Sequence, residues 1–356
     1  MRFLVTMGLG AALIAATYAQ GQAPAPAPAP APAQAPAPAQ SQALAPAPVK
    51  GATIGFMHAI HATNNVETTL AFYREVFGLD AKVTPFANPG VPLLTDSPGV
   101  SLRVAMLRIP GQGFNFELTE FTNTQRRGAR PRLTDPGAPH MKFLVRDIAT
   151  VVAAAKKRRA DIITRSDAPV AFLDGVAERI FMRDPDGYIV EAIRFPPPPD
   201  APAANVIGAV MGLTLGNLDA SMVFWRDLLG WEFAAAPSWT NDPAIVNLMD
   251  LPEGVEARPI RAIVPGSTAR IEMIEFRGVK NATPFDLRVP DPGASGMAIR
   301  VANIQELLPK MQAAGIRVIS KDGALVEWDA KIRNVFVKDP NGFLVELVGT
   351  VAPPAK

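Results

Sequence analysis

The chain of 356 residues has no cysteine and only three histidines. The first absence excludes a disulfide-stapled scaffold, a lipid anchor on an N-terminal cysteine and any thiolate metal site. The second leaves His58, His61 and His140 as the whole imidazole supply for metal binding or proton transfer. An excess of one charge is lacking too. Lys and Arg number 35 against 33 Asp and Glu, a net +2, which predicts neither nucleic-acid affinity nor adhesion to an anionic membrane. A small molecule is the partner this composition suggests. The one N-terminal apolar run, Phe3 to Ala16, falls short of the roughly 20 residues of a spanning helix.

What is present divides the chain. Arg2, the apolar run and the small residues Thr17 and Ala19 read as a secretory signal over 1–19, which predicts an exported protein, periplasmic or extracellular, off the membrane once cleaved. Residues 20–50 are nearly pure Ala-Pro alternation, an extended spacer unable to continue a helix or central strand. Two segments long enough for cores follow, 51–195 and 205–351, joined by the proline-rich stretch 196–204.

The two segments repeat one another. Phe72-Tyr73-Arg74 aligns with Phe224-Trp225-Arg226, and Asp184-Pro185-Asp186-Gly187 with Asp339-Pro340-Asn341-Gly342, at offsets of about 152 and 155. In this register Glu117 meets Glu272 and Glu191 meets Glu346, but His58 meets Val210 and His140 meets Gly296. The histidines place any metal chemistry in the first copy and mark the second as a degenerate, metal-free copy.

Each copy contains two units, a strand and amphipathic helix followed by further strands. Val66, Leu70, Tyr73 and Phe77 recur at helical spacing before Gly78. Asp147 and Asp219 read as N-caps, Gly230 as a stop, and a helix over 304–314 must accommodate Pro309. Period-two alternation puts Phe114, Phe116 and Leu118 on one face of a strand and Glu117 on the other; likewise Met141, Phe143 and Val145 oppose His140. His61, three residues after His58, faces away from it and reads as structural. Arg126, Arg127, Arg130 and Arg132 could guide an anion but read as a solvated loop, and the four tryptophans read mostly as core or, alternatively, as cleft lining. The expected class is α+β, with helices on one face of curled sheets.

The assembly of His58 followed 14 residues later by Phe72-Tyr73, Phe116-Glu117-Leu118, Pro139-His140-Met141-Lys142-Phe143 and Asp184-Pro185-Asp186-Gly187-Tyr188-Ile189-Val190-Glu191 resembles the vicinal oxygen chelate superfamily of glyoxalases, bleomycin-resistance proteins and extradiol dioxygenases. The resemblance covers nearly all of residues 54 to 350 and implies tandem domains of paired βαβββ modules. It implies one divalent ion (Zn, Ni, Co, Mn or Fe(II)) on His58, Glu117, His140 and Glu191, with Glu191 or Glu117 taking a proton from carbon. Only pairing of units one and two assembles that set, within a domain or across a dimer, so the chain is expected as a monomer or homodimer. The implied activity is glyoxalase-like, acting on vicinal oxygens through an enediolate. Ring cleavage by Fe(II) and non-catalytic capture of a small molecule are the alternatives. Glutathione and CoA are mainly cytosolic, so an exported protein is an unexpected user of either.

Overall fold

The computed structural model describes residues 52–350 except 173, 174 and 237. The signal segment and the Ala-Pro spacer lie outside the described residues. Unit one comprises β1 (Thr53–Thr63), α1 (Val66–Phe77), β2 (Val83–Phe86), α2 (Val91–Leu94), β3 (Ser101–Arg108) and β4 (Asn115–Thr122). Unit two comprises β5 (Pro139–Val145), α3 (Ile148–Lys157), β6 (Val170–Phe172), β7 (Ala177–Arg183) and β8 (Ile189–Arg194). Unit three comprises β9 (Val206–Leu215), α4 (Leu218–Met222, continued by a π-helical segment Val223–Leu228), β10 (Glu232–Phe233), α5 (Pro243–Met249), β11 (Glu256–Ile263) and β12 (Arg270–Arg277). Unit four comprises β13 (Ser295–Val301), α6 (Ile304–Ala313), β14 (Arg317–Val318), β15 (Val326–Glu327), β16 (Ile332–Lys338) and β17 (Leu344–Thr350).

Local signals explain most of these boundaries. Asn65 caps α1 by accepting from Thr68 N, and Gly78 ends it at φ 70. Asp147 caps α3 through Thr150 N. The cap of α4 is Asn217, which accepts from Ala220 N, so Asp219 lies instead in the first turn, where its charge suits the dipole. Helix α6 runs through Pro309. Gly187 and Gly342 close the two Asp-Pro turns at φ 83 and 91, a conformation that only glycine adopts without strain.

The strands form two sheets, β14-β16-β17-β13-β1-β4-β3-β2, with β15 on β16, and β10-β11-β12-β9-β5-β8-β7-β6. Units one and four therefore share one sheet, and units two and three the other. This overturns the expected pairing of units one and two, and the geometry gives the reason. The first strand of each unit has one edge taken by its own last strand, β4 beside β1 and β8 beside β5. Arg146 holds the carbonyls of Ala201 and Pro202, and its N–H donates to Asn205 O, turning the short proline joint directly into β9. That strand occupies the free edge of β5 antiparallel, which leaves β13 for β1.

The inner sheet faces and the helices bury one continuous core. Phe72, Phe77, Phe116 and Phe143 meet there with Trp225 and Trp231; each fully buried aromatic ring adds about 1.5–3 kcal/mol of transfer free energy. The opposite face of each sheet forms a cleft.

Candidate active site

Each cleft places two carboxylates at equivalent positions. In the first, β1 contributes His58, β4 Glu117 and β17 Glu346. His58 Nε2 lies 3.3 Å from Glu117 Oε2, and both side chains are 17% exposed. Thr119 Oγ1 donates to Glu117 Oε1 at 2.5 Å, and Asn334 Nδ2 donates to Glu346 Oε1 at 2.7 Å. The oxygen of that amide, Asn334 Oδ1, is buried without a partner. Burial, reinforced by the neighbouring Glu117 charge, pushes the Glu346 carboxyl up to about 8. These groups line a cavity of about 660 Å³ whose remaining walls are mainly aliphatic and aromatic.

The second cleft holds His140, Glu191 and Glu272, and it is filled. Lys142 Nζ sits 3.0 Å from Glu191 Oε2 and also pairs with Glu272. Arg179 Nε lies 2.5 Å from Glu191 Oε1, and Arg261 Nη2 lies 2.9 Å from Glu272 Oε2. Burial would raise the Glu272 carboxyl, but Lys142, Arg261 and Arg179 overcome it and hold it well below its usual range. His140 is fully buried against Phe181, and a Cβ at residue 212 would fall 1.9 Å from its Nε2. Burial, then the Lys142 charge, hold its imidazole neutral by lowering its pKa well below 6.5. Three cations already satisfy two carboxylates, so a divalent ion would enter against a net positive charge.

The four expected ligands are thus divided: His58 and Glu117 lie in one sheet, His140 and Glu191 in the other. The residue missed is Glu346, which joins His58 and Glu117. The second copy, expected to be metal-free, is not separate from the first cleft, because each copy contributes a carboxylate to each cleft. The cations of the second cleft were also missed. Their signal was in the alignment, where Met106, Ala298 and Asn334 stand opposite Arg261, Lys142 and Arg179.

His61 faces the core. Its Nε2 is 2.8 Å from Asp184 Oδ2 and 3.6 Å from Asp186 Oδ2. Burial opposes its charge, yet Asp184 and Asp186 win and raise it to about 9. Among the described residues these form the one group of three His and acidic side chains whose ligand atoms all lie within 4.8 Å of one another. The carboxylates of the cluster are nevertheless engaged by the protein, while His61 Nδ1 is buried without a partner. Asp184 accepts from Tyr73 and from the N–H groups of Asp186 and Tyr188, while Asp186 accepts from Thr69 and Asn64. The other copy builds the same clasp without a histidine: Trp225 Nε1 donates to Asp339, and Asn341 to Ser221. It is a structural ion pair between unit one and the turn of unit two.

The loop arginines are tied locally. Arg126 donates to Thr63 O and Asn64 O, Arg127 N to Asp291, Arg130 to Asp161, and Arg132 to Asp135. Trp225 and Trp231 are core, Trp239 is sandwiched by Arg258 and Arg277, and Trp328 lines the first cleft.

A lactoylglutathione lyase of Arabidopsis thaliana is 25% identical over 295 residues, 82% of this chain and 90% of the relative. One from Oryza sativa is 24% identical over 295 residues, 82% and 88% of the two chains. The solved glyoxalase I of Zea mays shares the fold with a TM-score of 0.53 at 18% identity, covering 83% of this chain and 92% of that one. The family model of the Glyoxalase/Bleomycin resistance protein/Dioxygenase superfamily matches twice, over residues 55–192 and 207–347, and the chain belongs to that superfamily.

Proposed function

We propose that the first cleft is the active site of an exported, glyoxalase-like enzyme that moves a proton on a small molecule with vicinal oxygens. One observation carries this reading: the open cleft keeps His58, Glu117 and Glu346 facing one cavity, while the other cleft is neutralised by its own cations. The family's fold implies a divalent metal, and the donor types of the first cleft suit one, although the ligand atoms of His58, Glu117 and Glu346 do not all lie within 4.8 Å of one another. An imidazole and two carboxylates suit a borderline ion, the mutual repulsion of Glu117 and Glu346 is what a cation relieves, and Asn334 Oδ1 is an unused buried acceptor. His58, Glu117 and Glu346 would hold the ion, which supplies charge stabilisation to a developing enediolate.

The protein's own groups do the rest. Glu346 is the assigned base, since its carboxyl faces the cavity beside Glu117 and is held by the Asn334 amide. Having taken the proton, it returns it to the adjacent carbon. Asn334 fixes the carboxyl through its amide, and Thr119 fixes Glu117. Neither cleft assembles two histidines with one carboxylate, which supports proton transfer over ring cleavage by iron.

The test is deuterium uptake from solvent at the carbon-bound hydrogen of 2-hydroxy ketones, followed by proton NMR. Glu346→Gln should slow exchange by roughly 10²–10⁴-fold. Equal exchange in the two proteins would contradict the assignment.

A further inference from the structure

The lining of the first cleft restricts what can occupy it. At about 660 Å³ the cavity lies in the ordinary range for small-molecule sites. Along β3 the cleft-facing residues are Leu102, Val104 and Met106, paired across to Phe121, Thr119 and Glu117 on β4. Phe336 and Trp328 extend the apolar wall from unit four. Trp328 stacks on Phe86 of unit one, with centroids 5.9 Å apart and an interplanar angle of 15°, so an aromatic pair bridges the two units at the cavity wall.

Charge in the lining points the same way. Among the described residues Arg300 is the one arginine or lysine of the lining and is exposed, whereas Asp329, Glu117 and Glu346 are acidic. A glutathione adduct carries two carboxylates, each of which needs a cation or several donors to offset desolvation. The cleft sets one exposed arginine and a few neutral donors against three carboxylates of its own. A neutral ring, by contrast, gains from apolar burial and from edge or face contacts with Phe86, Phe121 and Trp328.

We propose that the substrate class is a neutral, aryl-bearing 2-hydroxy ketone, its adjacent oxygens directed to the His58, Glu117 and Glu346 floor and its ring to the aromatic wall. The proposal rests on reading this cleft as the active site.

The experiment uses the full chain with Zn²⁺ added and follows tryptophan fluorescence during titration with benzoin and, separately, S-lactoylglutathione. Benzoin should bind at least tenfold more tightly, and its quenching should be lost in Trp328→Phe, which places the ligand in the cleft. Tighter or equal binding of S-lactoylglutathione would overturn the substrate class, as would benzoin quenching unchanged in Trp328→Phe. Racemisation of (R)-benzoin, read by chiral chromatography, separates the two levels. Benzoin held in the cleft without racemisation supports the ligand class while counting against the proton-transfer reading.

Discussion

Two clefts built on the same plan, with the same pair of glutamates, have reached opposite electrostatic states. In the first, Met106 lies across from Glu117, Ala298 sits between His58 and Glu346, and Asn334 donates to Glu346. In the second, Arg261 lies across from Glu272, Lys142 sits between Val210 and Glu191, and Arg179 pairs with Glu191. Three neutral residues against three cations decide which carboxylates remain available. The lesson is that carboxylates in family positions do not make a site; their neighbours determine whether the charge is free for chemistry or spent on the fold.

That contrast can be broken by transplanting the plug. Ala298→Lys should place an ammonium between His58 and Glu346 and lower deuterium exchange and Zn²⁺ affinity by about 100-fold or more, as a like charge competing for the same carboxylates; unchanged affinity by calorimetry would show that Lys142 is not what closes the second cleft. Removing the plug should cost stability instead. Lys142→Ala leaves buried carboxylates short of a cation and should lower the unfolding free energy by about 3–5 kcal/mol in denaturant titrations, with exchange activity retained. A loss below 1 kcal/mol would make the cluster ornamental.

The pH responses should differ too. Holding a metal requires Glu346 to lose its proton, so Zn²⁺ affinity should rise with pH and level off near 8, a slope absent in Glu346→Gln. His61 acts in the other direction. Its pKa in the folded protein, about 9, exceeds the ordinary histidine value of about 6.5, so its contribution is complete below about 6.5 and is lost as pH rises through 9. Wild-type stability should fall across that window, and the fall should be reduced in His61→Leu, the residue type at Leu213 of the other copy. The smallest expected effect is at the N-terminus, where sequencing of protein from an extracytoplasmic fraction should begin near Gln20; an intact Met1 there would argue against cleavage.

Much of the fold was legible in the sequence because periodicity and turn chemistry are local. Alternation assigned Glu117 and His140 to one strand face and Phe116 and Phe143 to the other, and the Asp-Pro turns needed only their glycines. Unit pairing was not legible in that way. Which strand lies beside β1 depends on the free edge left after β9 has taken β5, a global consequence of a short linker. Assuming that a working cleft must keep two histidines led to the wrong partner and hid Glu346. Lys142 was visible throughout as part of the His140 motif, but its role emerges only when Glu191 and Glu272 are seen to converge on it.

The most direct test is metal stoichiometry by mass spectrometry on chelator-free protein, compared for wild type, His58→Ala and His140→Ala. The pairing of units one and four predicts at most one ion per chain, lost in His58→Ala and retained in His140→Ala. Loss of the ion in His140→Ala with retention in His58→Ala would place the metal in the second cleft and contradict the account.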